Sequence, residues 1–194
     1  LKKFFKYENI DCEGFNDILV LTNPSLIGSI HRDYILAGAN IIETNTFNAN
    51  YISALDYGLS NEAIDDINYR AAKVAKLTVK KTNADVYVAG VIGPTSKTLS
   101  MSPKVEDSSF REISYDQLMH AYKAAAENLI KGGADLILIE TVFDTLNAKA
   151  AIEAVRSVGE KIPIMISGTI VDMSGRTLSG QTVEAFWHSV KHAR

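Results

Sequence analysis

The apolar positions of this chain follow two periods, and the alternation between them outlines its elements. In "SYDQLMHAYKAAAENLIKGG", Leu118, Tyr122, Ala125 and Leu129 recur at helical spacing. Ser114 with Gln117 three residues on is a capping-box signature, and Gly132 and Gly133 supply the stop. The segment reads as an amphipathic helix. "NPSLIGSIHRDYILAGA" places Asn23 as the cap, Pro24 at the first helical position and Gly38 at the end. "NEAIDDINYRAAKVAKLTVKK" carries the same period. Between the helices lie four short apolar runs rich in β-branched residues: "NIIET" (40–44), "VYVAGVIGP" (86–94), "LILIET" (136–141) and "PIMISGT" (163–169). None alternates, which is the pattern of a parallel strand covered on both faces.

The order is βαβαβαβα after an opening helix, and it predicts an α/β fold with a parallel sheet. An internal echo adds to this. "GANIIET" (38–44) and "GADLILIET" (133–141) each run from a helix-ending Gly into a strand that closes on Glu-Thr. The second is longer by two residues, and side chains along a strand alternate with period two, so Glu43 and Glu140 stay on the same face relative to their entry points. A barrel or a doubly wound sheet fits, with polar groups gathered at the carboxyl ends of the strands.

Ligands of parallel sheets bind at those ends, where loops and helix N-termini converge. The residues there are Glu43, Thr44, Asn45 and Thr46; Gly93 and Pro94; Glu140 and Thr141; Ser167, Gly168 and Thr169. Two carboxylates can hold an ammonium group, and hydroxyls with backbone N–H groups can hold a carboxylate, a combination suited to an amino acid. A plainer role for Glu43 and Glu140, capping helices or pairing with a lysine, stays open. Asp144 and Thr145 precede "LNAKAAIEAV" and read as the cap of that helix. The connections 93–113 and 171–182 are long and polar, and one of them is expected to cover a site. Their glycines match neither a GxGxxG nor a P-loop spacing, so a nucleotide phosphate has no support.

Other chemistry-bearing residues take bland readings. His188 and His192 lie four apart, a metal-compatible spacing, yet no acidic residue completes a zinc-protease pattern and both read as surface histidines. His31 and His120 sit in helices at surface or boundary positions. Cys12 reads as a structural cysteine and Trp187 as a packing residue.

Composition narrows the classes. A chain of 194 residues that is 46% apolar and 22% charged can bury a sizeable core. The net charge of −3, with scattered Lys and Arg, offers no basic stripe for a nucleic acid. A single cysteine excludes an internal disulfide and makes the cytoplasm the default compartment. No apolar run approaches the roughly 20 residues of a membrane helix, so no membrane partner is expected. "LKKFFKYENIDCEGF" is basic but lacks the apolar stretch of a secretory signal. The missing initiator Met suggests that the chain starts inside a longer one.

Four stretches carry a family resemblance: "GANIIETNTFNAN", "YVAGVIGPTSKT", "GGADLILIETVFDTLNAKAA" and "PIMISGTIVDMSGRTLSGQTVEAF". In order, and through nearly the whole chain, they closely resemble the homocysteine-binding domain of cobalamin-dependent methionine synthase. The resemblance implies a (βα)8 TIM barrel, of which residues 1–194 would be an incomplete homocysteine-binding domain with about four βα units. It implies methyl transfer from methylcobalamin, supplied by 5-methyltetrahydrofolate, to homocysteine held as a zinc thiolate by three cysteines. Homocysteine and the folate and cobalamin modules of a full-length protein would be the partners.

By the same resemblance, Glu140 in "IETVFD" matches the carboxylate that holds the homocysteine amino group. Thr44 in "ETNTF" matches a substrate-contacting threonine and Phe47 a wall of the pocket. Asn45, Ser167 and Thr169 join them by their place at the rim. Two departures matter. The family's first strand, with its Asp-Gly motif, has no counterpart, and the zinc cysteines lie on later strands, beyond "HSVKHAR"; Cys12 is not one of them. No catalytic or metal-binding residue is therefore assigned in this chain, and a fragment inactive alone is expected, because an unperturbed thiol is mostly protonated at neutral pH and a metal makes it the nucleophile. Open strand edges would favour self-association or pairing with a missing half. The stretches "DTLNAKAA" and "SGRTLSGQT" favour the cobalamin type over a betaine- or S-methylmethionine-dependent homocysteine S-methyltransferase; a non-catalytic truncated product is the remaining alternative.

Overall fold

The computed structural model describes residues 2–171 and 173–193. After a 3-10 helix over Lys2–Phe5 comes a small antiparallel pair, β1 (Lys6–Tyr7) and β2 (Ile10–Asp11), turned by Glu8 and Asn9 at φ 47° and 68°. Strands of two residues show no period, so this pair had no signal in the hydrophobic pattern. There follow α1 (Leu19–Thr22), α2 (Pro24–Leu36), β3 (Ile41–Glu43), α3 (Tyr51–Ala54), α4 (Asn61–Thr82), β4 (Tyr87–Ile92), α5 (Tyr115–Gly132), β5 (Leu136–Val142), α6 (Thr145–Val158), β6 (Ile164–Gly168) and α7 (Val183–Val190). β3 to β6 form one parallel sheet in chain order. The expected α/β alternation is present. No helix among the described residues is long and apolar enough to cross a membrane.

The helix ends follow local chemistry. Ser114 and Gln117 form a full capping box on α5, and Gly133 closes that helix at φ 102°. Asn23 does stand at the cap of α2, but its side chain accepts no helix amide; its Oδ1 takes the Ser25 hydroxyl at 3.0 Å instead. Gly132 is more than a stop. A Cβ there would collide with the Tyr69 carbonyl and lie 2.7 Å from the Ala72 methyl, so glycine lets α5 cross close to α4.

The two faces of the sheet are not equivalent. Ile42, Val88, Ile92, Ile137 and Ile139 point to one side, where they pack with Ile35 of α2, Ala75 of α4, Leu129 of α5 and Val155 of α6. Burying each of these Val, Leu and Ile side chains stabilises the fold by roughly 1.5–3 kcal/mol. On the other side Ala89, Val91, Leu136 and Leu138 form a cluster with no helix residue in it. At its margins Ile41, Tyr87 and Met165 are 41%, 55% and 44% exposed. The expectation that every strand is covered on both faces is thus corrected. An unalternated apolar run says that both faces are apolar, not that both are packed.

Candidate functional site

Glu140 and Glu43 lie at the carboxyl ends of β5 and β3. The register pairs Glu43 with Ala89 and Ala89 with Leu136. Paired residues of parallel strands share a face, and Leu136, Leu138 and Glu140 alternate onto it. Both carboxylates therefore project on the open face of the sheet; the sequence echo keeps them on the same side relative to their entry points, and the register decides which face that is. Among the described residues neither makes a hydrogen bond or an ion pair. Burial pushes the Glu140 carboxyl above its ordinary range, and the nearby charge of Glu43 pushes it further.

The strand is irregular at this point. Ile139 pairs with Ile166 and Val142 with Gly168, so Glu140 and Thr141 together oppose Ser167. This is a β-bulge, and Thr141 sits in it at φ 58°. The Thr141 amide donates to Oγ of Ser167 at 3.0 Å, and the Thr169 amide donates to the Val142 carbonyl at 2.8 Å. Nothing in the sequence marks Thr141, because positive φ at a β-branched residue has no compositional signal.

Thr44 lies at the same rim but turns inward, with 4% of its surface exposed. The Val91 amide donates to Thr44 Oγ1 at 2.8 Å, and Thr46 Oγ1 donates to the Val91 carbonyl at 2.8 Å. The two hydroxyls are 2.7 Å apart, and since Thr46 has spent its proton, Thr44 is the donor between them. The ring of three bonds replaces the strand ladder beyond Glu43. Asn45 donates its side-chain amide to the Asn16 carbonyl at 3.0 Å. Phe47 is 37% exposed, and its backbone lies so close to Gly93 that a Cβ there would meet the Phe47 carbonyl. The sequence-derived candidates are thus brought to one rim, with the Thr44 hydroxyl and Asn45 amide engaged in holding it.

A second set of residues supports the rim from the helix side. Asp144 caps α6, accepting from the Leu146 amide at 2.9 Å, as expected. It also accepts from the Ser100 amide and hydroxyl at 2.8 and 2.7 Å. Asn147 accepts from the Leu99 amide and donates to the Lys97 carbonyl. Arg111 gathers the carbonyls of Leu99, Ser100, Ser108 and Phe110. The long 93–113 connection is therefore pinned to the start of α6. In the 171–182 connection, of which residue 172 lies outside the described residues, the Ser179 amide and hydroxyl both bind the Phe143 carbonyl. Between these groups Glu140, Asp144, Tyr122, Asn147 and Gly93 line a cavity of about 10 Å³, room for one water.

His31 departs from its expected boundary position: it is 6% exposed, and its Nε2 has no partner. Burial lowers its pKa, favouring the neutral ring. It lines a hollow of about 460 Å³ between α2 and β3. Trp187, expected to pack, is 54% exposed. His120, His188 and His192 are exposed, and Cys12 is fully buried in an apolar cluster with Phe15, Ile18 and Ile64.

Among the described residues no three His, Cys, Asp or Glu side chains are placed to hold a metal ion. The one cysteine is enclosed in that cluster, so the described residues do not fit a three-cysteine zinc site, and no chemical step is derived through zinc. Residues 3–194 match the family described as homocysteine S-methyltransferase. The chain belongs to this family. Its fold is similar to that of the homocysteine methyltransferase MmuM from Escherichia coli. For the oxidised form the TM-score is 0.72 at 21% identity, covering 89% of this chain and 60% of that one. For the metallated form the TM-score is 0.73 at 20% identity, covering 90% and 62%. The chain thus spans about three fifths of the structures it matches. The open-face carboxylates of this family member lie at the strand ends where parallel sheets bind ligands.

Proposed function

We propose that this chain is the homocysteine-binding part of a homocysteine S-methyltransferase of the methionine synthase type. In this reading Glu140 receives the amino group of homocysteine. One observation carries it: a half-buried carboxylate at a strand's carboxyl end, without a partner among the described residues and facing a second carboxylate. An unpaired charge withdrawn from water is costly, and two of one sign are costlier. An ammonium group offsets both terms, since it pairs with Glu140 and screens it from Glu43.

The remaining rim supports the assignment by shape. Phe47, whose backbone lies against Gly93, offers an apolar wall for a short aliphatic chain, and Ser167 and Thr169 lie at the end of β6, the strand at the other edge of the sheet from β3. Methylcobalamin, loaded from 5-methyltetrahydrofolate by other modules, is the proposed methyl donor, with a partial (βα)8 barrel as the proposed architecture. The donor rests on the resemblance of "DTLNAKAA" and "SGRTLSGQT", and the barrel on the four motifs taken together.

Homocysteine titrated into this chain by calorimetry tests the reading. Binding to the wild type that weakens at least tenfold in Glu140→Gln is the expected result, and equal affinity of the two would refute it. Comparing methylcobalamin, S-methylmethionine and betaine as donors in the full-length protein identifies the methyl source.

A further inference from the structure

β5 carries one more residue than β6 at the point where the site is formed. Had the strand stayed regular, alternation would have turned residue 142 onto the open face. With Glu140 and Thr141 both opposing Ser167, Val142 instead joins the helix-side core beside Ile139 and Ala148. The bulge therefore ends the alternation at Glu140 and makes it the last regular side chain on the open face. Thr141 bears the strain, since a β-branched residue at φ 58° costs on the order of 1–3 kcal/mol. Such a conformation persists only where its surroundings over-determine it.

The surroundings here are specific. Ser167 Oγ accepts the Thr141 amide, a backbone donor that lies within the bulge. Beyond it the Thr169 amide binds the Val142 carbonyl and closes the far side. The end of β6 is itself fixed. A Cβ on Gly168 would lie 2.9 Å from the Phe186 ring, so α7 packs directly on the backbone next to Ser167. The path from α7 to Glu140 runs through Gly168, Ser167 and Thr141.

We propose that Ser167 is a positioning residue, whose hydroxyl holds the bulge at Thr141 and so aims Glu140 at the amino group of the substrate. The inference rests on the reading of Glu140 given above. It gives Ser167 a task other than direct substrate contact.

The test follows the Glu140 carboxyl by carbon NMR through a pH titration of this chain. Wild type, Ser167→Ala and Ser167→Thr are compared; the last retains the hydroxyl. Ser167→Ala is expected to lower the Glu140 midpoint toward that of an ordinary glutamate, because the freed carboxylate moves into water and away from Glu43. Ser167→Thr is expected to keep the wild-type midpoint. An unchanged midpoint in Ser167→Ala, or equal shifts in both variants, would overturn the proposal. Homocysteine affinity of Glu140→Gln, measured alongside, separates the two ideas. A moved midpoint with unaltered affinity leaves the bulge mechanism standing and removes the ammonium reading. A fixed midpoint with lost affinity does the reverse.

Discussion

Asp144 holds Ser100 with both carboxylate oxygens, Oδ2 on its amide at 2.8 Å and Oδ1 on its hydroxyl at 2.7 Å. The same Oδ1 caps α6 at the Leu146 amide. One buried carboxylate thus starts a helix and ties down a loop 44 residues away. Loss of a cap costs about 1 kcal/mol and loss of hydrogen bonds to a charged group about 1.5–3 kcal/mol. Asp144→Ala is therefore expected to destabilise the chain by about 2–4 kcal/mol in urea unfolding and to expose the 93–113 loop to protease. A change below about 0.5 kcal/mol with an equally resistant loop would contradict this account.

Asp17 is 2% exposed and accepts the Asn48 amide at 2.9 Å, fastening the loop that follows β3. Burial raises its pKa to about 6, against the partial opposition of backbone hydrogen bonds. The folded state then binds its proton more tightly than the unfolded chain, whose Asp titrates near 3.9. Stability from this group is complete below about pH 4 and is lost as pH rises through about 6. The expected loss across that window is about 3 kcal/mol, at 1.36 kcal/mol per unit. Asp17→Asn should flatten that part of the stability-versus-pH curve, as measured by urea unfolding between pH 4 and 7. A curve of undiminished slope in the variant would assign the effect to another group.

The Thr44, Thr46 and Val91 ring predicts a structural effect separable from binding. Thr46→Val removes the donor to the Val91 carbonyl and leaves a buried acceptor unpaired, at a cost of about 1–3 kcal/mol. Thr44→Val orphans the Val91 amide and should cost a similar amount. Thermal unfolding of both variants checks this. If Thr44→Val unfolds like the wild type while homocysteine affinity collapses, Thr44 contacts substrate and the ring matters little.

Gly93 allows the Phe47 backbone to approach β4. Gly93→Ala forces that loop outward and should lower stability by about 1–3 kcal/mol, as overpacking does. Phe47→Ala, in contrast, removes a half-exposed ring and is expected to change stability by less than about 1 kcal/mol. Similar unfolding midpoints for the two variants would mean that the ring, and not the backbone contact, holds the loop.

Sequence by itself determined the elements whose causes are local. The stripe from Leu118 to Leu129, the Ser114–Gln117 box and the stop at Gly133 act within a few turns and reappear as α5. Period-two alternation kept Glu43 and Glu140 on the same face relative to their entry points, and the register then places both on one face of the sheet. Asp144 was readable as a cap because its partner amide is two residues away.

Only the tertiary structure decided which face the helices cover and which rim groups remain unpaired. The Thr141–Ser167, Asp144–Ser100 and Thr44–Val91 bonds span 26, 44 and 47 residues. His31 read as a surface or boundary residue because a helical pattern does not show how deeply the packing of its helix will bury it. Local propensity acts over a turn or a strand. A bulge, a hydroxyl ring and an unpartnered carboxylate instead depend on strand register, which is set by packing of the whole sheet.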